Sequence, residues 1–181
     1  MSNELRELLA RQFAISWALT DFHLQTLSTE ECLWRPAAKG LHVQPSEGGA
    51  SRADWPEHEG YELGPSSVAW LTWHLIFWWS MVLDHSLDGG TLSRESVLWP
   101  GSAGGVRAAV SQLESRWRQM LETITDDELR SSERSRWPIQ HQPFADVVAW
   151  VNVELAKNAA EIGYVRFLYA ARAAPSRDST T

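Results

Sequence analysis

The chain has 181 residues, 44% of them hydrophobic and 22% charged, with a formal net charge of −7. That size accommodates one globular domain, and an acidic balance without any basic run lacks the electrostatic footprint of a nucleic-acid binder. The single cysteine, Cys32, has no second thiol to pair with inside the chain and fits a reducing, cytoplasmic setting.

Met1–Arg11 is charged and helical in pattern, without the basic-then-apolar order of a secretory leader. The first helix is expected from about Asn3 to Leu27, with Ser2 as its cap. Its apolar period runs through Leu5, Leu8, Leu9, Phe13, Trp17, Phe22 and Leu24. Ser28 and Glu31 stand at capping-box spacing and open a short turn. Residues 35–65 carry four prolines and five glycines and read as a long irregular connection. Connections of that length usually serve a purpose. Trp55 and Tyr61 suggest pinning to the body, as a surface decoration or as a lid over one end.

The second helix is expected from Ser66 or Ser67 to the Asp88-Gly89-Gly90 stop. Its apolar stretch, Val68–Leu83, spans 16 residues and contains His74. A bilayer needs about 20, so a buried core helix is predicted and no membrane span. The third helix follows from about Gly105 to Ile124, then a Thr125/Glu128 capping box and a polar loop to Gln142. The last helix is predicted from Pro143 to about Ala173. A single domain over 1–174 and a disordered tail over 175–181 complete the layout. No strand alternation exceeds a few residues. The fold class expected is all-α, a four-helix bundle whose long first connection permits a crossover.

Eleven tryptophans stand out. Each brings a large apolar area and one N–H that wants a partner when buried. A Trp-rich core, an aromatic-walled cavity and an oligomer contact are all open destinations. His74 sits in the middle of the most apolar helix, where an imidazole needs a hydrogen-bond partner or a metal. His85, on the same face, is about 16 Å further along and cannot share a site with it. On the last helix Glu154, Asn158 and Glu161 share one face, within an apolar stripe that includes Val147, Trp150, Val165 and Leu168. A polar break in an apolar stripe is how bundle-core sites are built. A salt-bridged strip, with Lys157 pairing Glu154 and Glu161 and with Arg172 on the same face, explains the same residues without a site.

Three segments carry a resemblance. Ser66–His74 resembles the conserved-histidine helix of the DinB/YfiT-like superfamily. Trp34-Arg35-Pro36 resembles the Trp-x-Pro that precedes it there. Asn158–Arg166 resembles that superfamily's closing segment, and the likeness runs from Arg6 to Arg172. The resemblance implies a four-helix bundle holding a divalent metal, zinc or nickel. The ligands carried over are His74, Glu154 and Asn158. Asn158 stands where the family has histidine, and an amide oxygen is a poorer ligand for these metals. Glu161, one turn on, could compensate.

Three functions follow as expectations. The first is a metal-dependent thiol transferase or hydrolase acting on a small molecule, with a low-molecular-weight thiol as partner. The second is a metal-free small-molecule binder in the same place, its site degenerate for metal. The third is a structural homodimer whose surplus tryptophans and all-round apolar second helix form the contact.

Overall fold

A computed structural model describes residues 3–45, 51–58 and 60–172. Ser2 and the tail lie outside these residues. Four long helices dominate: α1 (Glu4–Gln25), α3 (Val68–Leu83), α4 (Ala103–Thr123) and α6 (Phe144–Ala171). Two one-turn helices, α2 (Thr29–Leu33) and α5 (Asp126–Arg130), follow α1 and α4. The all-α expectation holds, with one small addition. β1 (Val43–Pro45) pairs antiparallel with β2 (Ser51–Ala53), and Ser51 bridges onward to Trp99. Strands of three residues among prolines and glycines leave too little alternation to read in sequence.

The direction of each helix follows from its contacts. Asn152 Nδ2 donates to Leu9 O (3.1 Å) and Arg166 Nη1 to His23 O (2.6 Å), so α1 and α6 run parallel. The Trp99 indole donates to Thr72 Oγ1 near the start of α3, and Arg116 pairs with Asp88 just beyond its end. α3 and α4 therefore also run parallel, opposite to the first pair. The connection between α2 and α3 makes the crossover that this order requires.

α3 is enclosed on all sides: thirteen of its sixteen residues are buried, including Trp73, Trp78 and Trp79. Such a helix is stable only where protein covers every face. Part of the cover is loop, and indole N–H groups fasten it. Trp70 Nε1 donates to Asp54 O and Trp73 Nε1 to Val97 O, both at 2.8 Å. The tryptophans thus belong to the core and its loop contacts. Trp73, Trp78, Trp79, Trp99 and Trp117 are buried, and of the eleven only Trp55 is largely exposed. The expectation of a tryptophan-built dimer contact on the second helix is corrected accordingly: α3 has no apolar face left to offer. Tyr61 does not pin its loop either, being fully exposed.

Helix ends follow local chemistry closely. Ser28/Glu31 and Thr125/Glu128 form complete capping boxes. Ser67 and Ser102 cap α3 and α4. α3 leaves through one π-turn, Asp84–Asp88, ending at Gly89 with φ 118°, a left-handed angle that glycine takes without strain. Gly163 permits the α1–α6 contact: a Cβ there would lie 2.6 Å from His23 Cε1.

α1 departs from this local rule. Its N-cap position, Asn3, makes no side-chain bond. Asp126 supplies the cap from the start of α5, accepting from the N–H groups of Leu5 (3.2 Å) and Arg6 (3.0 Å) while itself buried. Its carboxyl feels burial first, which raises the pKa, but the two N–H groups and then Arg130 and Arg6 outweigh this and hold it below the ordinary value. Asp126→Ala is expected to lower the thermal midpoint by about 2–6 °C, and Asp126→Asn by less, since the amide oxygen still accepts. Calorimetry of the three proteins checks this.

Candidate functional site

His74 lies midway along α3, with Trp70, one turn before it, stacked on its ring (centroids 5.1 Å apart, planes 7° apart). Across from it on α6 is Asn158, which is fully buried. Its amide orientation is set by Trp78, whose indole can only donate. Trp78 Nε1 donates to Asn158 Oδ1 at 2.9 Å, and Asn158 Nδ2 donates to Glu161 Oε2 at 3.2 Å. The Asn158 side chain also favours the protonated form of His74 as a hydrogen-bonding neighbour. His74 Nδ1 is buried without a hydrogen-bond partner. Hydrogen bonds therefore run from the Trp78 indole through the amide to the Glu161 carboxylate, beside the imidazole.

Above these groups opens a cleft of about 690 Å³, within the usual range for ligand sites. Trp70, Leu71 and His74 from α3 line one side, Lys157 and Glu161 another. Leu41, Pro56 and residues 60–64 supply the remaining wall. The long connection thus walls the cleft rather than decorating the surface elsewhere. Two smaller grooves, of about 330 and 260 Å³, lie around Leu87, Glu128 and Arg134. In them Arg134 is paired with Glu128 and Arg116 with Asp88.

The electrostatics favour an uncharged imidazole. Burial is the largest influence on His74, and the nearby Lys157 ammonium adds to it; the bond to Asn158 opposes them. The result is a pKa lowered to about 4.

Of the residues suggested by sequence, His74, Asn158 and Glu161 meet. Glu154 is engaged elsewhere: its Oε2 lies 3.1 Å from Lys157 Nζ, as the salt-bridged reading anticipated. The carboxylate joined to Asn158 is Glu161. His85 lies apart, on the π-turn and against Gly90. Trp78 was not singled out as a site residue. Its position one turn after His74 was the available signal, since a buried indole seeks an acceptor.

The set His74, Glu154 and Asn158 does not fit a metal as it stands. The Asn158 oxygen accepts from Trp78 and its nitrogen donates to Glu161, and Glu154 is held by a cation that faces the same cleft. Among the described residues no three His, Cys, Asp or Glu side chains are grouped to hold a metal ion.

The geometry defines a class: an all-helical protein with a polar cleft between its second and last long helices. The sequence model of the DinB superfamily matches residues 12–162, and the chain belongs to that superfamily. No curated protein and no solved structure matches it. Among the described residues no helix is long and apolar enough to cross a membrane.

The folded imidazole protonates near pH 4 and the unfolded one near its ordinary 6.5. Between those values the unfolded chain holds the extra proton, so this contribution to stability is full above about pH 6.5 and declines as pH falls toward 4. In NMR the His74 ring is expected to keep its neutral shifts to about pH 4. Lys157→Met is expected to move that midpoint upward.

Proposed function

We propose that this DinB-superfamily protein binds a small molecule in the cleft over His74 without a resident metal. One observation supports this reading above others: the Asn158 amide is committed at both ends, to Trp78 through its oxygen and to Glu161 through its nitrogen. An amide so committed coordinates a cation badly. The ligand this cleft suits has an apolar part, for Leu41, Leu63 and Trp70, and polar groups for His74, Lys157 and Glu161. Low-molecular-weight thiols and small carboxylic acids meet that description. A cytoplasmic setting belongs to the same reading, since Cys32 is a buried free thiol whose pKa burial raises to about 12. Such a thiol is inert rather than nucleophilic.

A second reading, a metal-dependent thiol transferase or hydrolase, draws on one feature: His74 Nδ1 is buried without a hydrogen-bond partner. It requires Asn158 or Glu154 to exchange present partners for a metal.

Two measurements separate the readings. Elemental analysis of protein produced with added zinc and nickel is expected to find well below one metal per chain. Stoichiometric metal that is lost in His74→Ala would overturn the metal-free reading. A thermal-shift series with thiols and small acids is expected to raise the midpoint by about 3–6 °C for a ligand near tenfold its Kd. That rise should disappear in His74→Ala and shrink in Lys157→Met. No response to any compound in the series would count against binding altogether.

A further inference from the structure

The apolar pattern of α1 divides into two stripes. Leu9, Phe13, Ser16, Thr20 and Leu24 face the core. Leu8, Ile15, Leu19 and Phe22 face outward, with 48–69% of each exposed. At 100° per residue these four fall within about 60° of one another, roughly 130° from the core direction. α6 repeats the arrangement: Val153, Tyr164 and Phe167 are 64–74% exposed and share the side opposite its core stripe.

The two stripes form one surface. α1 and α6 are parallel and in register, with Leu9 level with Asn152 and His23 level with Arg166. Helical periodicity puts both outward stripes on the same side of the two-helix layer. Leu8 is then level with Val153, and Phe22 with Tyr164 and Phe167. Between these ends Ile15 and Leu19 stand beside the part of α6 that carries Ala156 and Ala160. Bulky side chains on one helix thus adjoin small ones on the other, and Lys157 sits at the rim.

We propose that this α1/α6 face is a homodimer interface, covered by the same face of a second copy. Area is the first argument. The seven exposed side chains amount to roughly 800 Å² per copy, about one partner's share of a standard interface. A monomer's largest apolar patch is usually about 300–600 Å². Charge is the second. Each copy carries −7, so two copies repel over most of their surfaces. A charge-poor centre is where self-association costs least. Shape is the third. Knobs and alanines on one face can meet alanines and knobs across a two-fold axis, where the patch must complement itself. The proposal is independent of what the His74 cleft binds.

Sedimentation equilibrium across a wide concentration range tests it. The wild-type chain is expected at twice its 20.5 kDa mass, and the double variant Ile15→Glu/Phe167→Glu at the single-chain mass, its Kd for association raised roughly 100-fold or more. Both positions are exposed, so far-UV circular dichroism should show unchanged helix content. Leu33→Glu, an exposed apolar residue away from this face, should leave the dimer intact. A monomeric wild type at high concentration would overturn the proposal, as would a double variant that folds and still dimerises. A wild type that stays monomeric but floats with phosphatidylcholine vesicles would assign the face to a lipid surface instead, and would equally overturn it.

Discussion

The enclosure of α3 is the constraint from which the architecture follows. Sixteen residues with almost no polar face cannot border water. Three helices cannot cover a fourth completely, so the connections must help. Indole groups achieve this because each is apolar in body and carries one donor at its edge. Trp70 and Trp73 reach out of α3 to carbonyl oxygens of the two flanking loops, and Trp99 reaches back to Thr72. Every one of these bonds removes a buried donor that would otherwise cost about 1–3 kcal/mol. The large number of tryptophans is thereby explained by architecture.

The same enclosure creates the polar centre. One imidazole within an apolar helix must be satisfied or stay neutral, and burial keeps His74 neutral. Asn158 faces it from α6, held by Trp78 and Glu161. A histidine at position 158 would offer a nitrogen lone pair and a weaker claim on Trp78. The amide instead accepts from Trp78 and donates to Glu161, so its oxygen is already engaged. Membership of the DinB superfamily therefore carries the fold to this chain more securely than it carries a chemistry.

Much of the fold was legible because its signals are local. Ser28 with Glu31 and Thr125 with Glu128 mark helix starts within four residues. Gly89 marks a stop. The period of α3 and its isolated histidine identified the buried helix and the centre of the cleft. Other features depend on distant partners and leave no local trace. Asp126 reads as the start of its own short helix, yet it also caps α1, 120 residues away. Glu154 and Glu161 share one helical face, and only packing decides that Lys157 takes the first and Asn158 meets the second. On α1, Leu8 and Phe22 read as members of the core stripe with Leu9 and Phe13. The structure assigns them to another direction, because two apolar stripes on one helix look like a single broad one in sequence.

Trp70 gives the loop and the cleft a common hinge. Its indole edge is tied to Asp54 O in the long connection, while its face lies flat on the His74 ring. A rigid aromatic plate cannot yield at one rim without tilting at the other. Displacement of the segment carrying Asp54, just after β2, must therefore tilt the plate against the imidazole, and a guest that shifts the imidazole must pull on that segment. Occupancy of the interior would be transmitted to the molecular exterior through one side chain, as a lever transmits force, with no helix having to move.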